Sequence, residues 1–137
     1  MYYFAYASNL NRKQMLECCP NSQPKFTASL PNYRLIFTGW SRQWRGGVAS
    51  VKPSRGDKVL GAIYEVSDRD LVQMDKHVNK HEGYPDTYNR LEVTVYRDIG
   101  EPIEAITYIK SRQSEETKPS PEYLALIQQG YRAWSLI

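Results

Sequence analysis

The chain has 137 residues, of which 41% are hydrophobic and 24% are charged, and its formal net charge is +3. This length and composition are ordinary for one folded domain with a single core, which argues against disorder along the chain. The charge is lower than a dedicated nucleic-acid-binding protein usually carries. We therefore expect a single domain over residues 1–137 and no nucleic-acid partner.

The sequence carries no pattern typical of a membrane or secreted protein. No stretch approaches the roughly 18 apolar residues of a membrane-spanning helix, and the first ten residues lack the basic and apolar regions of a signal peptide. Cys18 and Cys19 are neighbours, which rarely bridge each other and which alone make no tetrahedral zinc site. We expect reduced thiols, a cytoplasmic location and no membrane partner.

The predicted elements of the first half are mostly strands. Residues 2–6 form a short aromatic run that predicts a strand. Ser8-Asn9 or Asn11 can then cap a helix over residues 12–18, which Pro20 ends. Further strands are predicted at 25–30, 33–38 and 48–52, the first two separated by Pro31-Asn32 and the third opened by Gly46-Gly47.

The middle of the chain predicts a buried strand that leads into a helix. After a turn at residues 55–57, residues 58–66 are apolar on both faces, which is typical of a central strand. Ser67 and Asp70 have the spacing of a reciprocal cap, which starts a helix through Met74 and His77.

The last third predicts two strands and a helix. Hydrophobic residues alternate with polar ones over 91–95, and a second strand is expected at 103–110 after a turn at 98–100. Ser120-Pro121-Glu122 has a cap, a proline and an acid in the order that begins a helix. Leu124, Ile127 and Tyr131 would share one face of it.

Strands therefore outnumber helices and mostly follow one another. This order predicts an α+β fold, with a mixed, mostly antiparallel curled sheet or β-barrel and flanking helices. Closing the sheet would also remove its exposed edges. The 11 tyrosines suit either a cavity for a small polar ligand or a core whose hydroxyls reach the surface.

The segment Tyr6-Ala7-Ser8-Asn9 directly follows the first predicted strand. Small residues at a strand-to-helix turn let successive N–H groups point the same way, which makes an anion site beside a helix N-terminus. The same pattern is typical of an ordinary helix cap, and the residues alone leave both interpretations open.

Two further segments contain residues of chemical interest. Glu82 lies in a predicted loop, HEGYP, where its carboxylate would point either into a cavity or into solvent. Residues 40–47, WSRQWRGG, interleave Trp40 and Trp44 with arginines, which predicts either a hairpin tip or a surface that stacks on bases.

Metal and serine-nucleophile chemistry are not favoured. His77 and His81 are four residues apart, but the pattern is not H-E-x-x-H, and a third ligand would have to be Asp, Glu or Cys. Ser8 lacks the G-x-S-x-G surroundings of a serine nucleophile. We expect no metal and no cofactor.

Taken together, these segments resemble the γ-glutamylcyclotransferase family, which includes γ-glutamylamine cyclotransferases and AIG2-like proteins. Residues 3–10, YFAYASNL, resemble its Y-F-A-Y-G-S-N-L loop. Farther along, WRGGVA (44–49) resembles W-x-G-G-I-A, and GDKVLG (56–61) resembles G-D-x-V-x-G. Met74-Asp75 with Glu82-Gly83 resembles L-D…E-G, and SPEY (120–123) resembles S-P-x-Y. The motifs keep their order over nearly the whole chain.

This resemblance implies a mixed β-barrel, a small γ-glutamyl substrate and Glu82 as the acid/base. It implies a substrate site made of Tyr3, Phe4, Ala5, Tyr6, Ala7, Ser8, Asn9, Tyr88 and Tyr123. We expect a monomer or a homodimer. The remaining alternatives are a non-catalytic ligand-binding module of the same fold and a nucleic-acid-binding β-barrel.

The implied reaction closes a ring within the substrate. The α-amine attacks the γ-carbonyl of its own γ-glutamyl group, which gives 5-oxoproline and a free amine or amino acid. Holding the bent conformer supplies much of the acceleration, while Glu82 would take a proton from the attacking amine and pass it to the leaving amine. Backbone N–H groups near Ala7–Asn9 would bind the α-carboxylate or the oxyanion.

The sequence departs from the family pattern at two places. Ala7 stands where the family usually has glycine, which permits positive φ and close backbone approach. Asp75 and Glu82 are seven positions apart, against three in L-D-x-x-E-G, and the four extra residues amount to about one helical turn.

Overall fold

The computed structural model describes residues 1–80, 87–113 and 115–137. Its strands are β1 (Tyr2–Ala5), β2 (Gln23–Ser41), β3 (Gly46–Glu65), β4 (Tyr88–Tyr96) and β5 (Pro102–Lys110), and its helices are α1 (Arg12–Cys18), α2 (Asp68–Val78) and α3 (Pro121–Ala133). The strands form a closed barrel in the order β1-β3-β2-β4-β5. Neighbouring strands are antiparallel except β1 and β5, which pair in parallel at Tyr3 and Ile106. The predicted α+β barrel with flanking helices is confirmed.

β3 is the central strand of the barrel. β1 pairs with its last residues, Ala62 to Glu65, while β2 pairs along nearly its whole length. This confirms the prediction of a buried central strand over residues 58–66. Along the first half of β3, among the described residues, the edge opposite β2 is bonded by side chains and by the segment after β5 rather than by another strand.

The two long strands continue where the sequence predicted breaks. Both the Pro31-Asn32 break in β2 and the turn at residues 55–57 in β3 lie inside continuous strands, so the prediction of separate strands was wrong. The register shifts at this point, which marks a bulge in the ladder. Asn32 takes a positive φ of 64°, and its Oδ1 accepts a hydrogen bond from the Gly56 N–H at 3.1 Å.

Side-chain caps explain where the helices begin. Asn11, after a short 3-10 turn at Ser8–Leu10, accepts a hydrogen bond from the Lys13 N–H and starts α1. Ser67 and Asp70 form the predicted reciprocal cap of α2. In α3 the buried face is formed by Tyr123, Ile127 and Gly130, whereas Leu124 is 36% exposed. Of the three residues predicted to share one face of α3, Ile127 is the one that is buried.

The core has two parts, which β1 separates. Phe4 points into the barrel interior, whereas Tyr3 and Ala5 belong to the layer between the barrel and the helices, as the alternation of side chains along a strand requires. The longest described helix has 13 residues. None of the described helices has the length and hydropathy to cross a membrane.

Candidate active site

A cavity of about 160 Å³ lies where β1 ends, between the barrel and the helices α1 and α2. Drug-sized ligands usually occupy pockets of roughly 300 to 1,000 Å³, so this cavity suits a group about the size of one amino acid. Its wall is rich in tyrosine, and the described residues that line it include five: Tyr3, Tyr6, Tyr88, Tyr108 and Tyr123. Of the two interpretations of the tyrosine content, the cavity is therefore the one that these five residues support.

The loop after β1 forms one wall of the cavity. The N–H groups of Leu10 and Asn11 bond the carbonyls of Ala7 and Ser8, both at 3.0 Å, which makes the 3-10 turn. The N–H groups of Ser8 and Asn9 lie at the N-terminal end of this turn, which is the end that favours negative charge. The φ of Ala7 is −140°, so this position does not need the positive φ that only glycine takes easily.

Buried hydroxyls fix this loop in place. Asn9 donates a hydrogen bond from Nδ2 to the Tyr3 hydroxyl at 2.9 Å, and the Tyr6 hydroxyl donates to the Tyr108 carbonyl at 2.7 Å. Burial raises the pKa of both Tyr3 and Tyr6 above the ordinary value. Both rings therefore stay neutral near pH 7, and their hydroxyls orient the loop without adding charge to it.

Tyr88 and Tyr123 hold the opposite wall through one residue of β3. The Tyr88 hydroxyl donates to the Ala49 carbonyl at 2.5 Å, and the Ala49 N–H donates to the Tyr123 hydroxyl at 3.0 Å. The Trp44 ring packs on Tyr123 with 5.0 Å between centroids. The Lys110 ammonium lies 5.0 Å from the centroid of the Tyr88 ring. Both backbone polar groups of a buried wall residue are thus bonded by tyrosine.

Below the cavity, Tyr108 is held by an ion pair. Its hydroxyl donates to Asp75 Oδ1 at 2.5 Å, and Arg90 donates to the two oxygens of the same carboxylate at 2.9 and 2.8 Å. Arg90 holds the pKa of Asp75 below its usual value, chiefly through these hydrogen bonds. Burial and the bond to Asp75 raise the pKa of Tyr108. The network connects α2, β4 and β5 under the cavity wall.

The mouth of the cavity is polar and is formed by α1 and α2. Gln14 and Glu17 of α1 lie on one side, and His77 and Lys80 lie on the other. His77 is half-buried, and burial holds its pKa below the ordinary value. His77 is therefore largely neutral near pH 7, while the exposed Glu17 and Lys80 carry opposite charges.

The structure places the predicted substrate residues in two groups. The cavity wall contains Tyr3, Tyr6, Ala7, Ser8, Asn9, Tyr88 and Tyr123. Phe4 and Ala5 are fully buried in the core and are not among the described residues that line the cavity. Glu82 and His81 lie outside the described residues.

Sequence reasoning missed the contribution of α1, α2 and β5 to the cavity. Gln14 and Glu17 are one helical turn apart, and this spacing is the only sequence signal that could have placed them on one face. Tyr108 is buried on β5 beside the buried Thr107, and its place in the strand does not distinguish a cavity residue from a core residue. Which face of a helix meets a cavity depends on packing, which short sequence patterns do not specify.

The segment 40–47 is a hairpin tip, one of the two predicted possibilities. The chain turns between Ser41 and Gly46, where the Arg45 N–H bonds the Ser41 carbonyl at 2.7 Å. Trp44 packs inward on Tyr123, whereas Trp40 is 67% exposed. Both cysteines are free thiols, with Cys19 buried at the end of α1.

Comparisons with known proteins agree with this architecture. The sequence profile of the family described as "Gamma-glutamyl cyclotransferase, AIG2-like" matches residues 3–131. The gamma-glutamylcyclotransferases of Bos taurus and Homo sapiens are 31% and 30% identical over 132 residues, which cover 93% of this chain and 68% of theirs. A solved structure of a gamma-glutamyl cyclotransferase superposes with a TM-score of 0.91 at 28% identity, covering 99% of this chain and 80% of that one.

Proposed function

Because the chain belongs to the gamma-glutamyl cyclotransferase, AIG2-like family, we propose that it cyclises the γ-glutamyl group of a γ-glutamyl amine or peptide. The products are 5-oxoproline and a free amine or amino acid. The observation that carries this proposal is the cavity itself, because the loop after β1, Tyr88 and Tyr123 meet around a space the size of one amino acid.

The loop after β1 is proposed to bind the substrate's negative charge. The N–H groups of Ser8 and Asn9 lie at the start of the 3-10 turn, where backbone donors favour an anion. They would take the α-carboxylate of the γ-glutamyl group or the oxyanion that forms when the amine attacks. The rigid bonding of Asn9 to Tyr3 supports this role, since it fixes the donors before the substrate arrives.

The shape of the cavity is proposed to hold the substrate bent. Ring closure needs the α-amine beside the γ-carbonyl. Because binding already restricts the substrate to that conformer, the reaction step loses less rotational entropy and is faster. The bonds of Tyr88 and Tyr123 to the same residue of β3 keep the opposite wall at a fixed distance from the loop. No bond to a protein nucleophile is required, because the attacking amine belongs to the substrate.

Glu82 is proposed as the acid/base. Lys80 and Tyr88, the lining residues that precede and follow it in the chain, both lie on the cavity wall. A carboxylate can take the proton from the attacking amine and return it to the leaving nitrogen. The structure does not describe Glu82, so this assignment depends on its place in the E-G motif and on these neighbours.

The test is a mass-spectrometric screen for 5-oxoproline released from γ-glutamyl amines, γ-glutamyl dipeptides and glutathione. We expect release from at least one compound, and a loss of at least about 100-fold for Glu82→Gln, as is usual when an acid/base is removed. Glu92→Gln is the matched control, because Glu92 is exposed on β4, outside the cavity. Full activity in Glu82→Gln refutes the role of Glu82.

Two other outcomes separate the alternatives. If no compound releases 5-oxoproline but one of them binds, the protein is a ligand-binding module rather than an enzyme. If none binds, the proposed function is wrong altogether. The negative φ of Ala7 removes one argument for the binding module, since the position does not require the positive φ that glycine alone takes easily.

A further inference from the structure

The cavity mouth contains charged groups that the proposed reaction does not use. Glu17 and Gln14 of α1 face His77 at the end of α2 and Lys80 just beyond it. The proposed chemistry uses the loop after β1, the two tyrosines that bond Ala49, and Glu82. The charged groups at the mouth therefore have no role in the proposed reaction.

One side of the mouth is built by the helical turn that follows Asp75. In the L-D-x-x-E-G pattern, only two residues separate the acid from the glutamate, whereas six separate Asp75 from Glu82. α2 continues to Val78, so the added length is partly helical and brings His77 and Val78 to the wall.

The added turn is fixed to the cavity wall by Asn79. Its Oδ1 accepts a hydrogen bond from the Tyr88 N–H at 2.7 Å, and its Nδ2 donates to the Tyr88 carbonyl at 3.1 Å. The same amide donates to the Asp75 carbonyl at 3.1 Å. A pair of bonds to one residue's backbone holds the turn and the wall together, so the mouth has a defined shape.

Glu17 is the acidic side chain among the described residues that line the cavity. Glu17 forms no ion pair with any described residue. Burial keeps His77 largely neutral near pH 7, so it does not cancel the carboxylate.

We propose that this mouth is the subsite for the leaving amine and that Glu17 favours leaving amines with a second ammonium group. The inference rests on the proposed cyclotransferase function. The cavity holds about one amino acid, so a γ-glutamyl group whose carboxylate lies at the loop fills it. The rest of the substrate then leaves through the mouth, between Glu17 and His77.

The chemistry of the product is consistent with this assignment. The leaving nitrogen gains one proton as its bond to the γ-carbonyl carbon breaks and departs as an amine. Near pH 7 this amine takes a second proton from water to become an ammonium ion, which a carboxylate on the exit side attracts. A second ammonium on the same molecule is attracted before the reaction as well. Lys80 opposes this preference, but its side chain is long and exposed and can move away from a cation. Glu17 has the shorter side chain, and its backbone is held in α1 by the buried Met15 two positions earlier.

The experiment compares two substrates that differ in one charge, the γ-glutamyl amides of butylamine and of 1,4-diaminobutane. For the wild-type protein we expect a higher kcat/KM with the diamine derivative. Glu17→Gln should lower the ratio of the two kcat/KM values roughly three- to five-fold, the size typical of an exposed ion pair. Added salt should lower the wild-type ratio as well.

Matched variants show whether the effect belongs to the mouth. Lys80→Gln should raise the ratio, because it removes the opposing charge, and Glu92→Gln on the far side of β4 should leave it unchanged. An equal ratio in the wild type and Glu17→Gln, with both compounds turned over, overturns this inference and leaves the proposed function intact.

If neither compound yields 5-oxoproline, calorimetric affinities for the same two compounds test the mouth instead, and the proposed function itself fails only if no compound of the mass-spectrometric screen is turned over. Weaker binding of the diamine derivative alone in Glu17→Gln supports the subsite. Equal affinities in both proteins, or no binding at all, overturn it.

Discussion

Replacing Asp75 with asparagine removes the charge that connects α2, β4 and β5 beneath the cavity. Arg90 donates two hydrogen bonds to this carboxylate and Tyr108 donates a third. Asparagine keeps Oδ1, which accepts from Arg90 Nε and from the Tyr108 hydroxyl, but it replaces Oδ2 with an NH2 group that cannot accept the second hydrogen bond of Arg90. The variant therefore loses the ion pair and at least one hydrogen bond while keeping nearly the same shape.

The expected loss of stability is moderate. A hydrogen bond to a charged group contributes about 1.5 to 3 kcal/mol when it is shielded from water. The Arg90 and Asp75 side chains are 41% and 40% exposed, and exposed pairs contribute only about 0.2 to 1 kcal/mol. The partly buried bond to Tyr108 adds to the ion pair, so we expect Asp75→Asn to lower the unfolding free energy by about 1 to 2 kcal/mol.

Urea unfolding at a series of pH values is the assay, because the contribution of the Asp75 charge to the unfolding free energy changes with pH in a known direction. Arg90 holds the folded-state pKa of Asp75 below its ordinary value of 3.8. The stabilisation is therefore fully present above that ordinary value and is lost as the pH falls through the folded-state pKa. The difference between wild type and Asp75→Asn should be constant from pH 7 to about pH 5 and should shrink below about pH 4.

Two results would refute this reasoning. One is a difference that stays constant down to the lowest pH at which both proteins fold, since it would then not depend on the charge. The other is an equal effect in the control Glu101→Gln. This variant breaks the exposed ion pair of Arg97 and Glu101, which are four positions apart between β4 and β5. We expect no measurable change in that control.

Two other substitutions test the packing around the cavity. Gly130→Ala should destabilise the protein by about 1 to 3 kcal/mol in urea unfolding, because the added methyl would lie 2.7 Å from the Leu10 Cβ at the base of the loop. Tyr123→Phe should cost a similar amount, about 1 to 3 kcal/mol, because it leaves the buried Ala49 N–H without its acceptor.

Each of these has a control in the same helix. Gln128→Ala changes an exposed position of α3 and should be neutral or slightly stabilising, since alanine favours helices. If Gly130→Ala behaves like it, the close packing of α3 on the loop is wrong. Tyr131→Phe removes a longer hydrogen bond, 3.4 Å to the Tyr6 carbonyl, and should cost less than Tyr123→Phe. An equal or larger cost would contradict the role given to Ala49.

The parts of the fold that sequence predicted well are those specified by local signals. Helix starts follow from caps such as Ser67 with Asp70, because the cap and the first turn are only three residues apart. The central strand followed from an unbroken apolar run. The breaks in β2 and β3 were predicted wrongly, because Pro31-Asn32 and Gly56 are also the residues that a bulge requires, and only pairing with the opposite strand distinguishes the two.

The cavity was predicted in part, and the limit is physical. The loop after β1 could be identified as a strand-to-helix turn with donors, although its role depended on resemblance. Tyr108 carried no usable signal and Glu17 carried only its spacing from Gln14, because the place of both residues in the wall depends on how α1 and β5 pack. The structure likewise shows Phe4 in the core, because adjacent strand residues point to opposite faces.

The parallel seam between β1 and β5 has a consequence for chain entropy. The hydrogen bond that links Tyr6 to Tyr108 across it spans 102 positions, whereas β2 and β3 are joined by a loop of only the residues 42–45. Closing the longer loop costs about 3 kcal/mol more. The seam also pairs at Tyr3 and Ile106, whereas β2 pairs along nearly all of β3. We therefore expect the seam to open more readily than the hairpin, and the cavity loop, which continues β1, to share this lower local stability. A ligand bound there would hold β1 and β5 together and would slow amide exchange in β1 most of all.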